Sequence, residues 1–147
     1  MNTLLKLSSL ALAPLWITQV TEAHAADTKQ EPVITLQLNK ADTTQNGCRV
    51  SLVVRNHLQE EVTQLALDLV LFDNAGEIAD FLSMKTGRLP SGKTRVRQYD
   101  LPSGDCAAIS SVLVNNVTQC EGTANVSPAR CLDALKVSSR AAIELTL

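Results

Sequence analysis

Apolar and polar residues alternate with a period of two along most of this chain, and this alternation most constrains its fold. The clearest run spans residues 62–72, where Leu65, Leu67, Leu69 and Leu71 occupy every second position. A strand places all four side chains on one face, whereas a 3.6-residue period would spread them around a helix. Although leucine is a good helix former, the run predicts a strand.

The same alternation recurs elsewhere, separated by turn residues. Further strands are predicted at 34–38, 48–54, 77–84, 94–99, 108–117 and 141–147. Segments rich in Gly, Pro or Asn lie between them, at 45–47, 73–76, 89–92 and 101–104. One short helix is predicted from Pro128 to Ala134, with Ser127 as its N-cap. About seven strands at a spacing of about ten residues predict an all-β fold, a β-sandwich with a short helical turn near the C-terminus.

The first 25 residues have the pattern of a secretory signal peptide. Lys6 supplies the positive charge, an apolar stretch follows at 7–17, and Ala23-His24-Ala25 predicts cleavage before Ala26. The apolar stretch is too short to cross a hydrocarbon layer of ~30 Å, which needs about 20 residues. We therefore expect an exported protein with a signal peptide at 1–25, a flexible leader at 26–32 and a single domain at 33–147, without a membrane span.

The cysteine pattern agrees with export. An even number of cysteines in an exported chain predicts two disulfides, formed here by Cys48, Cys106, Cys120 and Cys131. Three pairings are possible, and proximity in the sequence favours Cys120–Cys131, which leaves Cys48 for Cys106. The chain has no CxxC motif, and its cysteine spacings match no zinc-ligand pattern. No metal site is predicted.

Few residues suit catalysis. Beyond the predicted signal peptide, His57 is the one histidine, and it could act as a base or a metal ligand with Glu60 or Glu61. A solvated loop histidine is the simpler interpretation, because a site needs convergent partners. The sequence also lacks the GxSxG, HExxH, P-loop and dinucleotide-binding motifs. We predict no catalytic residues, no cofactor and no enzyme activity.

Two arginines predict a cationic strand face. Arg95 and Arg97 are two residues apart, so an extended strand at 94–99 places them on one face with Tyr99. This face is a candidate partner-binding site for an acidic surface or for anionic lipid head groups. The alternative is a charged outer face or a protected edge strand. Arg49 and Arg55 would extend the patch if their strand lies beside it.

Several turn and strand-end motifs resemble a known class of domain. Residues 51–56 end in Asn, residues 67–73 end in Phe72-Asp73, Gly76 follows, and residues 89–93 read Leu-Pro-Ser-Gly-Lys. This pattern is similar to the immunoglobulin-like sandwich modules of bacterial envelope proteins, of which FxLYD-type domains are one example. The resemblance spans about residues 33–117, and the four cysteines are not part of its pattern. It implies an immunoglobulin-like β-sandwich, and similarity to exported proteins of Gram-negative bacteria implies the periplasm.

These features together predict a non-enzymatic periplasmic protein-interaction module, or an accessory module of an envelope assembly. The expected partner is another envelope protein, bound by strand addition or by a strand face. A net charge of −2 with no basic block excludes an electrostatic footprint for nucleic acid. A periplasmic inhibitor or small-ligand-binding protein, with its site in the loops near His57 and Gly122, is the alternative, and an enzyme is less expected.

Overall fold

The structure, a computed structural model, describes residues 31–102, 104–123 and 125–147. The predicted signal peptide at 1–25 and most of the predicted leader at 26–32 lie outside these residues. Across the described ranges, no helix has the length and apolar character that crossing a membrane requires.

Within the described residues, eight strands form two four-stranded sheets. The strands are β1 (Ile34–Thr44), β2 (Gly47–Asn56), β3 (Val62–Asp73), β4 (Ile78–Lys85), β5 (Thr94–Leu101), β6 (Ile109–Gly122), β7 (Leu135–Ser139) and β8 (Glu144–Thr146). The first sheet has the order β5-β2-β1-β7 and the second sheet the order β4-β3-β6-β8. The pairs β1–β7 and β6–β8 are parallel, and the other pairs are antiparallel. The predicted β-sandwich is therefore confirmed.

The structure adds one strand to the predicted set of about seven. Strand β7 is only five residues long, and Leu135 and Val137 are its only large apolar residues. A segment this short gives little periodic signal, and its strand conformation depends on pairing with β1. Strand β1 is also longer than predicted, because it continues past a bulge between Leu38 and Lys40 into a polar segment.

The main core lies between the two sheets. The four leucines of β3 that alternate in the sequence all point into it and are almost fully buried. Alternate residues of β1 and β2 face them from the first sheet, among them Leu36, Leu52 and Val54. Helix α1 (Pro128–Asp133) begins as predicted, with the Ser127 side chain accepting a hydrogen bond from the Arg130 backbone N–H at 3.3 Å.

A buried asparagine joins the end of β2 to the turn at 89–93. The side-chain amide of Asn56 donates to the carbonyl oxygens of Glu60 and Leu89, both at 2.9 Å. Its side-chain oxygen accepts from the N–H of Leu58 at 2.9 Å, and its backbone bonds to Gly92 and Lys93. The strand-end Asn and the Leu-Pro-x-Gly turn of the motif are therefore in direct contact.

Two disulfides fasten the ends of β6. Cys48 at the start of β2 is bonded to Cys106, which opens the 3₁₀ turn before β6. This bond links the first sheet to the turn that leads into β6 of the second sheet. Cys120 near the end of β6 is bonded to Cys131 of α1. The pairing is the one favoured by proximity in the sequence.

Candidate binding surface

The second sheet is apolar on its outer face as well as on its core face. Between the core leucines of β3, the residues Ala66, Val70 and Phe72 point outward. Val70 is only 5% exposed, and neither Ala66 nor Val70 belongs to the core between the sheets. Neighbours on the outer face of the same sheet bury Ala66 and Val70 and leave Phe72 half-buried.

Strand register shows which residues provide that cover. Val70 lies between Phe81 of β4 and Leu113 of β6, and Phe72 lies next to Ile78 of β4. We call these five residues the outer patch. Phe81 is 67% exposed and Ile78 is 56% exposed. A contiguous exposed apolar patch on a soluble domain is typical of an interaction site.

A shallow depression of about 290 Å³ lies beside Phe81. Val70 and Leu82 contribute apolar surface, while Asp68, Ser83 and Asn115 contribute polar groups. Ligand pockets usually enclose about 300–1,000 Å³ and cover most of their ligand. A depression of this size on an open sheet face suits one inserted side chain better than an enclosed metabolite.

The second sheet carries an excess of negative charge. Its strands contain a single basic residue, Lys85, against the acidic residues Asp68, Asp73, Asp80, Glu121 and Glu144. Within the described part of the chain, no basic side chain lies within ion-pair distance of any of these five carboxylates. The four ion pairs found there are Lys40–Asp42, Arg49–Asp100, Arg88–Glu61 and Arg130–Glu60.

Two of these carboxylates have local structural roles. Asp73 closes the β3–β4 turn, since its side chain accepts from the N–H groups of Ala75 at 2.8 Å and Glu77 at 2.9 Å. The Asp80 side chain accepts from the N–H of Phe81 at 2.7 Å. That contact places a charged group at the exposed edge of β4, which hinders pairing with another strand. Asp68 has no such hydrogen bond among the described residues and lines the depression.

The cationic row predicted on β5 lies at the open side of the sandwich. Arg95, Arg97 and Tyr99 are in register with Val54, Leu52 and Val50, whose side chains face the core. The three side chains therefore extend from the inner face of β5 toward the second sheet.

Each side chain of this row donates to a backbone carbonyl at or after the end of β4. Arg95 Nε bonds to Arg88 at 2.5 Å, Arg97 Nε to Thr86 at 3.1 Å and the Tyr99 hydroxyl to Lys85 at 2.7 Å. Burial raises the pKa of Tyr99, and the positive charge of Arg97 opposes that rise. These three hydrogen bonds thus connect the first sheet to the end of β4 in the second sheet and to the segment that follows it.

Arg49 and Arg55 do not extend this row. They are in register with Asp100 and Thr94, on the opposite face of the first sheet. Arg49 binds Asp100 through two hydrogen bonds of 2.6 and 2.9 Å, and this contact lowers the pKa of Asp100. Binding of a partner by Arg95, Arg97 and Tyr99 stays a prediction.

The two acidic residues near His57 are held in ion pairs with arginines. Glu60 pairs with Arg130 at 3.1 Å, and Glu61 pairs with Arg88. The pKa of His57 is lowered, first by burial and then by the charge of Arg55. Within residues 31–102, 104–123 and 125–147, no three His, Cys, Asp or Glu side chains converge in a way that could hold a metal ion.

Close packing of two backbone segments explains the glycine at position 122. A Cβ atom at this position would lie within 2.1 Å of the backbone oxygen of Glu61. Only glycine permits this close approach of two backbones. Neither His57 nor Gly122 lines the depression beside Phe81.

The outer patch was not identified from the sequence, although a signal for it was present. From Leu65 to Phe72, β3 has an apolar residue at every position except Asp68, which is typical of strands covered on both faces. The leucine alternation alone draws attention only to the core face.

Comparison with known proteins supports the fold. No protein-family model and no curated protein matches the chain. The solved structure of IrmA from Escherichia coli is similar, with a TM-score of 0.53 and 14% sequence identity over 71% of this chain and 90% of that one. At this level of identity the likeness shows a shared β-rich fold.

Proposed function

We propose that this chain is a non-enzymatic module that binds another protein through the outer patch. The observation that carries this proposal is the exposure of Phe81 and Ile78 directly beside the buried Val70 and the half-buried Phe72. Aromatic residues are enriched at the centres of protein interfaces. Both phenylalanines of the chain belong to this patch, although aromatic residues are scarce overall.

The proposed setting is the periplasm, with another envelope protein as partner. Two disulfides support an oxidising compartment. The contact between Asn56 and the turn at 89–93 gives a physical reason for part of the motif that resembles immunoglobulin-like FxLYD-type modules. Cleavage of a signal peptide before Ala26 stays a prediction.

A small-ligand-binding protein is the second candidate function. The depression beside Phe81 favours it, in place of the loops near His57 and Gly122. The open form of the depression gives a small ligand little enclosure, and we therefore prefer a protein partner. Protein binding also accounts for the exposure of Ile78, which does not line the depression.

A matched pair of variants tests the proposal. Ile78→Ser/Phe81→Ser removes the exposed part of the outer patch, and Val96→Ser removes an equally exposed apolar side chain (63%) from β5 in the other sheet. The tagged proteins are used for quantitative capture from extracts of the producing cells. We expect the patch variant to lose at least about tenfold in affinity for its main partner, equivalent to about 1.4 kcal/mol, and Val96→Ser to bind normally. Equal capture by both variants would contradict the proposal.

A further inference from the structure

The charge around the outer patch indicates what kind of protein segment covers it. We infer that the occupant is a basic segment, with a Lys or Arg side chain seated in the depression between Phe81 and Asp68. This inference rests on the proposed function and names the chemistry of the partner at the same surface.

The depression brings an aromatic ring and a carboxylate to one place. On β3, Asp68 is two residues from Val70, so both point outward, about 7 Å apart along the strand. Phe81 lies beside Val70 in register, and Ser83 lies beside Asp68. Phe81 and Asp68 both line the depression. A cation on the face of an aromatic ring is attracted to it, and a carboxylate adds a charge-assisted hydrogen bond.

The cost of covering Asp68 argues against a wholly apolar partner. A wholly apolar segment on the outer patch would remove the Asp68 carboxylate from water without a counter-charge, and burial of an unpaired charge is strongly unfavourable. A basic side chain in the depression avoids this cost, because it replaces the lost water with an ion pair.

Charge also opposes self-association through this face. Two copies stacked by a twofold axis would bring the same acidic surface against itself, since an isologous contact uses one patch twice. The strands of the second sheet offer only Lys85 as a basic residue to either copy. Glu144, which is in register with Ser111 at the β8 edge and so lies on the face of Phe72, instead suits a further basic residue of one partner.

Three peptides of identical length test the inference on the folded full domain. The probes are the hexapeptides KLKLKL, SLSLSL and ELELEL, blocked at both ends and titrated into isotope-labelled protein while amide NMR shifts are recorded. We expect KLKLKL to shift the amides of Asp68, Phe81, Ser83 and Asn115, with binding that weakens as salt rises. The other two peptides should bind at least about fivefold more weakly. Equal binding of the three peptides, or shifts confined to other surfaces, would overturn the inference.

Two Asp→Asn variants distinguish a specific role of the Asp68 carboxylate from an effect of net charge. Asp68→Asn should weaken KLKLKL binding at least about fivefold. Asp133→Asn, which neutralises an exposed carboxylate on α1 outside the second sheet, should leave it unchanged. Thermal unfolding of both variants checks that they remain folded. Equal loss in the two variants would show that only net charge matters and would overturn the assignment of the depression.

The peptide and capture experiments distinguish a failure of the inference from a failure of the proposed function. If Ile78→Ser/Phe81→Ser loses its cellular partner while Asp68→Asn retains it, the outer patch binds a partner of other chemistry, and the inference is wrong while the proposed function stands. If neither variant loses the partner, both are wrong. If the protein itself sediments as a dimer that dissociates in the patch variant, the occupant is a second copy and the basic-segment inference is overturned.

Discussion

Asn56 shows how one residue can hold several loops in place. It has no solvent exposure, and both polar atoms of its side chain are bonded to backbone groups of the segments at 57–61 and 89–93. A buried amide with all its partners present stabilises a structure, whereas the same partners left unpaired destabilise it.

Replacing Asn56 should therefore be costly. Asn56→Ala leaves the carbonyl of Glu60 and the N–H of Leu58 without their partner, and we expect the free energy of unfolding to fall by about 2–4 kcal/mol. Equilibrium unfolding in urea measures this fall in the free energy of unfolding. Asn46→Ala, at an exposed turn residue, is the control and should change stability by about 0.5 kcal/mol or less. A similar small change at Asn56 would show that water replaces these contacts.

Individual strands show what period-two reasoning can and cannot predict. Alternation correctly placed the leucines of β3 on one face, and that face is the core. It also grouped Arg95, Arg97 and Tyr99 on one face of β5. It could not show that this face is the inner one, on which they lie. Periodicity groups residues by face, while the identity of each face depends on strands that pair from distant parts of the chain.

The position of the β5 row changes the effect expected from its removal. Exposed substitutions typically alter stability by about 0.5 kcal/mol, but Arg95 and Arg97 each donate to a carbonyl across the open side of the sandwich. We expect Arg95→Ser/Arg97→Ser to lower the free energy of unfolding by about 1–2 kcal/mol. This is the lower part of the range for two hydrogen bonds, because water screens these two contacts. Chemical unfolding measures the loss.

A second double variant isolates the effect of position from that of charge. Arg55→Ser/Lys136→Ser removes the same charge from exposed positions on the other face of the first sheet, and it should be nearly neutral. If the two double variants lose equal stability, the carbonyl contacts contribute nothing. If Arg95→Ser/Arg97→Ser is as stable as the unmodified protein yet loses a partner whose binding depends on salt, the row is instead a docking site for an acidic surface.

At the scale of the whole molecule, the fold class and cysteine pairing could be predicted but the sheet order could not. The parallel pairs β1–β7 and β6–β8 join segments far apart in the chain, and no local pattern encodes such pairing. The outer patch depends on it too, since Phe81, Val70 and Leu113 come from three strands. A surface assembled across strands becomes visible only when their register is known.

The disulfide that closes the longer loop should stabilise the molecule more. Loops of 58 and 11 residues correspond to about 4 and about 3 kcal/mol in the chain-entropy model. We expect Cys48→Ala/Cys106→Ala to lower the free energy of unfolding more than Cys120→Ala/Cys131→Ala. Denaturant titration of both variants measures the difference. The reverse order would indicate that fixing α1 on β6 matters more than joining the sheets.

Site-specific photo-crosslinking tests the central claim, partner binding at the outer patch, most directly. A photoreactive phenylalanine analogue is placed at position 81 or at position 96, two positions of similar exposure on different sheets. The proteins are irradiated in the producing cells at equal abundance. We predict one discrete adduct from position 81 that is absent from position 96 and is reduced when Asp68 is replaced by Asn. Absence of an adduct from position 81, or the same adducts from both positions, would contradict the assignment of the outer patch as the binding surface.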